Sequence, residues 1–305
     1  MEMRVDKMTF LPKGIIVPVV TPFADDGSID YAVYRKVLNH LIENGVHGVF
    51  PLGTTGEFYA VTDDEYRRLL ETTVEEVKGR VAIYAGVNHI TTRGVIRLAK
   101  ICAQVPGIDA ISVLTPMFMS QSQEELYQYY KHIAESTDFP IVMYNNKPKT
   151  NVTIEPDTVA RLAEIPNIVG VKDSTGDFTN TCEYIRLTRS NPGFSVLLGR
   201  DTLIFAGLCQ GAAGAISSCA NVAPRLVVDI YDRFMAGDLE GAREAQFTLN
   251  PLRIACNMGT FPAVIKEGLV QQGFPVGKCL DPIGELSEAQ KQKLNAILKS
   301  MRLLG

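Results

Sequence analysis

The stretch Ile168-Val169-Gly170-Val171-Lys172-Asp173-Ser174-Thr175-Gly176-Asp177 decides how this chain is read. Its first four residues are apolar and show no apolar/polar alternation, the look of a parallel strand buried on both faces. Residues 178–190 follow with the period of an amphipathic helix. The same unit recurs in both directions. Apolar runs fall at residues 14–20, 46–52, 81–86, 110–114, 141–144, 168–172, 195–199 and 212–217. Helical patterns fall at 31–44, 63–78, 92–105, 124–136, 156–165, 178–190, from Asp201 onward, and at 222–235.

Strand then helix, repeated eight times, predicts a (β/α)8 TIM barrel over residues 1–237. Residues 238–305 read as a C-terminal helical extension, with helices at 238–248, 262–272 and 287–300, packed on the barrel within a single functional domain. Several helix starts are marked. Thr62 with Glu65, Ser122 with Glu125, and Ser287 with Gln290 have capping-box spacing, and Pro156 suits a first helical turn. A doubly wound sheet is the rival. It would carry a glycine-rich phosphate loop after the first strand, where this chain has the turn Thr21-Pro22-Phe23-Ala24-Asp25-Asp26-Gly27.

Composition narrows the function. The 305 residues are 46% hydrophobic, with 30 basic and 34 acidic side chains and a net charge of −4. That excludes a disordered chain, and the lack of a basic excess or stripe points away from nucleic acid. Four histidines, none paired at i, i+3 or i+4, argue against a histidine metal site. The six cysteines include no C-x-x-C pair and read as reduced thiols of a cytoplasmic protein. Residues 1–13 lack the apolar core of a signal peptide. The apolar run 14–23 is about half a membrane span and holds Pro18 and Pro22, so no membrane segment is expected.

In such a barrel, functional residues gather at the C-terminal ends of strands. There the chain places Gly53-Thr54-Thr55-Gly56-Glu57, Tyr144-Asn145-Asn146, Lys172-Asp173, Gly199-Arg200-Asp201 and Gly214-Ala215-Ile216-Ser217. Lys172 should emerge in the barrel mouth. A desolvated amine loses its charge more readily, and a neutral amine attacks carbonyls to form a Schiff base. The other reading of Lys172 is a buried ion pair with Asp173. Lys147 and Lys149, on a loop with Pro148, and Lys266, in the extension, are poorer nucleophile candidates. Tyr144 offers a phenol that both donates and accepts protons, or else packs on the rim. The Thr54-Thr55 turn offers backbone N–H groups and hydroxyls to a small carboxylate. Alternatively it is a tight turn that needs Gly53 and Gly56 for its conformation. Glu57 is either an anchor behind the site or an acid at a helix start. Taken together, a carboxylate nest, a phenol and an amine suit a 2-oxo acid.

These motifs, in this order and spacing, resemble the dihydrodipicolinate synthase / N-acetylneuraminate lyase family over nearly the whole chain. The resemblance implies Schiff-base lyases that act on pyruvate-derived 2-oxo acids, need no metal or organic cofactor, and assemble as a homotetramer, a dimer of dimers. It gives Lys172 the role of Schiff-base lysine, Tyr144 that of proton shuttle, and Thr54 a place in the proton relay. Thr55, with Gly53, would hold the pyruvate carboxylate and Ile216 would line the pocket. Gly199 and Asp201 would meet the far end of longer substrates. Two departures stand out. Where the synthase has proline and two tyrosines, the second reaching across a dimer interface, this chain has Pro116-Met117-Phe118, and Phe118 has no hydroxyl. Lys149 takes the place of an arginine that binds the second substrate's carboxylate, and it supplies a point charge instead of a fork. Both departures favour a paralogue that cleaves or dehydrates another 2-oxo acid. The lysine-biosynthetic synthase with an altered relay, and a non-catalytic 2-oxo-acid-binding barrel, stay open.

Overall fold

The computed structural model describes residues 10–304. Its strands are β1 (Gly14–Pro18), β2 (Gly48–Phe50), β3 (Ala82–Gly86), β4 (Ala110–Leu114), β5 (Ile141–Asn145), β6 (Ile168–Asp173), β7 (Ser195–Leu198) and β8 (Gly214–Ile216). They close into a barrel in chain order, each paired in parallel with its neighbours. Every expected apolar run holds its strand. The helices outside the strands are α1 (Tyr31–Glu43), α2 (Asp63–Val77), α3 (Thr92–Cys102), α4 (Gln123–Glu135), α6 (Pro156–Leu162), α7 (Phe178–Thr188), α8 (Ile204–Gln210) and α9 (Pro224–Met235), while the short α5 (Lys147–Thr150) follows β5 at the cavity rim. The capping boxes at Thr62, Ser122 and Ser287 form as their spacing predicts. The loop expected around Lys147 and Lys149 is instead the single turn α5, whose first positions accommodate Pro148. No helix among the described residues is long and apolar enough to cross a membrane.

Helices outside and side chains inside bury β1, β4, β5 and β6 along their full length. One residue from each strand fills the interior: Ile16, Phe50, Tyr84, Ala110, Val142, Val169, Leu197 and Ile216. The β5–β6 ladder contains a bulge. Ile141 pairs with Ile168, but Val142 pairs with Gly170, so β6 gains one residue. An uninterrupted ladder would bring Tyr144 opposite Val171. The bulge brings it opposite Lys172, a re-aiming of the kind such irregularities provide near active sites. Gly170 lets β7 come close, since a Cβ there would lie 2.7 Å from the Ser195 carbonyl oxygen.

The extension comprises α10 (Leu239–Ala255), α11 (Ala263–Gln271) and α12 (Glu288–Ser300). α10 runs beyond its expected end at residue 248 and passes through Pro251. Proline removes one rung of helix hydrogen bonding, but Leu249, Leu252 and Ala255 on the same face are buried and hold the helix to the barrel. A buried ion pair ties the extension to the barrel. Glu57, in the left-handed region at φ 52°, ends the turn after β2. Its Oε1 lies 2.7 Å from Lys266 Nζ on α11, with both side chains almost fully enclosed. Lys266 also donates to the Lys278 carbonyl and sits 4.3 Å above the Phe23 ring. Glu57 Oε2 accepts from the Leu280 N–H at 3.0 Å. Glu57 is therefore the anchor of its two readings. Burial lowers the Lys266 pKa from its ordinary value, and Glu57 opposes that shift. Removing one partner of such a pair strands a buried charge and costs about 3–5 kcal/mol. Glu57→Leu and Lys266→Met should each lower stability by about that amount in urea unfolding, and the double variant by clearly less than their sum. Strictly additive losses would contradict the pairing.

Candidate active site

At the C-terminal ends of the strands lies a cavity of ≈ 430 Å³. Of the expected site residues, Lys172, Tyr144, Thr54, Thr55, Ile216, Gly199 and Lys149 line it, together with Arg200. Gly53 and Asp201 do not.

Lys172 is 5% exposed and points into the barrel, while Asp173, one residue on, faces outward. Asp173 accepts from Thr181 Oγ1 at 2.7 Å and from the Thr175 N–H at 3.1 Å, with Asn145 and Asn180 nearby. This excludes the ion-pair reading of Lys172. Lys172 Nζ instead sits 4.0 Å from the centroid of the Tyr144 ring and 5.5 Å from that of Phe50. The contact follows from the ladder, because Tyr144 and Lys172 are paired neighbours on adjacent strands and share a face. The Tyr144 hydroxyl accepts from Asn146 Nδ2 at 2.8 Å. Thr54 Oγ1 faces the phenol, is buried, and makes no full hydrogen bond to any described residue. Burial alone would raise the phenol's pKa. The Lys172 ammonium, aided by Thr54, Ser174 and Asn146, outweighs burial and holds it below the ordinary 10.0.

The Thr54-Thr55 turn is built differently from its sequence reading. Its left-handed residues are Leu52 and Glu57, not the glycines. Gly56 is needed because a Cβ would meet the Val19 carbonyl at 2.8 Å, and Gly53 because it packs on the Phe50 ring. The Gly53 carbonyl accepts from the N–H groups of Gly56 and Phe58, so this residue shapes the turn from behind. Thr21 Oγ1 and Asn88 Nδ2 pin the carbonyls of Gly56 and Leu52. Among the described residues, the N–H groups of Thr54 and Thr55 donate to no acceptor, which leaves them for a carboxylate.

Asp201 is 1% exposed. It accepts from Ser217 Oγ, from Ser218 Oγ at 3.2 Å and from the Cys219 N–H at 3.2 Å, and it pairs with Arg253 Nε at 3.5 Å. It sits in the wall and does not line the cavity. The sequence reading missed the neighbours of the phenol, Asn146 and Ser174, and the whole wall supplied by the extension, including Arg253, Asn257, Thr260 and Phe261. Only the adjacency of Asn146 to Tyr144 signalled any of these. Among the described residues, no group of three or more His, Cys, Asp or Glu is placed to hold a metal ion.

The sequence profile of the Dihydrodipicolinate synthetase family matches residues 11–301. The chain belongs to that family. It is thereby a lyase, as the resemblance implied. The 4-hydroxy-tetrahydrodipicolinate synthase of Thermodesulfovibrio yellowstonii is 37% identical over 292 residues, covering 96% of this chain and 99% of its own. The crystal structure of dihydrodipicolinate synthase from Thermotoga maritima superposes with a TM-score of 0.94 at 34% identity, covering 97% of this chain and 100% of that one. A prophage protein of the family from E. coli K12, solved in complex with pyruvate, superposes with a TM-score of 0.91 at 31% identity, covering 95% and 99%.

The pairing of phenol and amine has a spectroscopic consequence. In ultraviolet difference titration, the Tyr144 phenol should ionise below the ordinary 10.0, as a component that vanishes in Tyr144→Phe. Lys172→Ala removes the cation that favours phenolate, so the Tyr144 pKa should rise. An unshifted transition in Lys172→Ala would contradict the contact.

Proposed function

We propose that the chain is a Schiff-base lyase of pyruvate-derived 2-oxo acids, with Lys172 as its covalent residue. The observation that carries this reading is the pairing of Lys172 with Tyr144 across the β5–β6 ladder, beside a turn with free amides. The pyruvate-bound E. coli relative supports the choice of ligand.

The substrate carboxylate sits on the N–H groups and hydroxyl of the Thr54-Thr55 turn, with Ile216 against C3. The neutral Lys172 amine attacks C2. The carbinolamine loses water, with its proton supplied through Tyr144, to give an iminium. The iminium draws electrons from C3. When the C3–C4 bond breaks, its electron pair moves into the enamine, the C4 hydroxyl proton passes to Tyr144, and an aldehyde leaves. Reversal adds pyruvate to an aldehyde. When C4 instead carries a leaving hydroxyl and C3 a proton, the same iminium allows loss of water. Thr54 orients the phenol. Gly53 shapes the turn, Gly199 leaves room beside Ser174, Lys149 stands at the rim, and Asp201 acts through Arg253 and not on substrate.

A second reading is 4-hydroxy-tetrahydrodipicolinate synthase, favoured by the name of the Thermodesulfovibrio relative. Against it stands Phe118, with no hydroxyl and 89% exposed. We treat residues 1–237 and 238–305 as one functional unit, because the extension supplies part of the cavity wall. The proposal includes a cytoplasmic homotetramer. Its support is the free state of all six cysteines and the exposed apolar pair Phe118 and Met119, with Phe118 held at φ 81°.

Borohydride reduction with pyruvate should add one pyruvate-derived group to Lys172, found by peptide mass spectrometry. Lys172→Ala should lose both adduct and turnover. A folded wild-type protein without adduct would overturn the reading. A screen for pyruvate release, set beside condensation with aspartate semialdehyde, separates the paralogue from the synthase.

A further inference from the structure

The wall facing the extension carries charge that the Schiff-base step does not use. Arg253, on α10, lines the cavity with 16% of its side chain exposed, and its Nε lies 3.5 Å from Asp201 Oδ2. Arg200, just past β7, lines the same cavity. Its guanidinium lies across Gly176, where a Cβ would come within 2.9 Å of Arg200 Nε. Among the described residues, the Arg200 side chain makes no hydrogen bond and no ion pair; only its carbonyl is engaged, by the Leu203 N–H. The terminal nitrogens of Arg253 donate no hydrogen bond to any described residue. Burial first, and the nearness of Arg253 second, push the Arg200 guanidinium below its ordinary value.

Of the two guanidiniums only Arg253 has a carboxylate partner, and that partner, Asp201, already accepts from Ser217, Ser218 and Cys219. Asp201 offsets one of these two charges, so this wall of the cavity keeps a positive charge beyond those of Lys149 and Lys172. Partly buried cations without partners are costly, and a guanidinium fork matches a carboxylate in two-point geometry.

We infer that Arg200 and Arg253 form a second anion site, so that the enzyme's substrate is a 2-oxo acid with a carboxylate at each end. The keto-acid carboxylate rests on the Thr54-Thr55 turn and the far carboxylate on the two guanidiniums. Asp201 is a positioning residue that orients Arg253 from behind. The inference rests on the Schiff-base reading of Lys172 and adds the substrate class. It also explains why the wall comes from the extension: a barrel rim closed by α10 brings a residue from position 253 beside one from position 200.

The test measures the concentration of 2-oxo acid that half-saturates borohydride trapping on Lys172. It compares partners of equal chain length with and without the terminal carboxylate: 2-oxoglutarate against 2-oxopentanoate, and 2-oxoadipate against 2-oxohexanoate. For the better-fitting length, the diacid should half-saturate at a concentration lower by about tenfold or more. Arg200→Met and Arg253→Met should each bring the ratio toward one, and Arg253→Lys should restore part of it. Because the readout is a ratio within one protein, a general loss of binding does not imitate the effect. If Arg253→Met fails to fold, the half-buried Arg200→Met carries the comparison. A wild-type ratio near one, or a ratio that survives both methionine variants, overturns the inference. Failure of the wild type to trap pyruvate overturns the Schiff-base reading beneath it.

Discussion

The site depends on one rung of the β5–β6 ladder, where Tyr144 and Lys172 lie side by side with both side chains inside a closed barrel. An amine cannot be buried there without something to offset its desolvation. The electron-rich face of the phenol, 4.0 Å away, and the phenolate it can become supply that. The benefit runs both ways. The cation makes the phenol easier to ionise, and an ionisable phenol can take and return the protons that carbonyl chemistry at the amine requires. Asn146 then fixes the hydroxyl end of the ring, with Ser174 and Thr54 beside it.

That rung exists because β6 is one residue longer than its partner between Ile141 and Val142. The eight strands could be read from sequence, since a strand buried on both faces announces itself through a local run of apolar residues. Lys172, Tyr144, Thr54 and Thr55 were readable for the same reason, standing where those runs stop. The bulge was not readable: it is a relation between two strands separated by α5 and α6, and neither strand shows it alone. The placement of Asp201 was not readable, because strand-end position puts a residue near the mouth without telling which way its side chain turns. Here Ser217, Ser218 and the Cys219 N–H turn it into the wall.

The extension was legible as helices but not as part of the site. Its reach over the barrel depends on contacts between residues far apart in sequence, above all Glu57 with Lys266 and with the Leu280 N–H. Glu57 ends the turn that holds Thr54 and Thr55, so the same carboxylate that locks the extension down also braces that turn. Cys279 shares this enclosure: burial, reinforced by Glu57, pushes its thiol up to about 12 and leaves it an inert packing group. The strap between α10 and α11 then lays Asn257, Thr260 and Phe261 along the cavity. The cavity is therefore lined partly by residues beyond the eighth strand and partly by the ends of the barrel strands.

The division of labour between amine and phenol can be read without knowing the second substrate. When pyruvate forms and sheds a Schiff base, its C2 oxygen leaves as water, so the enzyme exchanges that oxygen with isotopically labelled solvent. The rate of this exchange in wild type, Lys172→Ala and Tyr144→Phe is the most direct measurement. If Lys172 is the nucleophile and Tyr144 carries its protons, wild type exchanges rapidly and Lys172→Ala does not exceed the protein-free rate. Tyr144→Phe should then be slower by about a hundredfold or more. Exchange that persists in Lys172→Ala, or that is as fast in Tyr144→Phe as in wild type, would contradict the roles assigned to the pair.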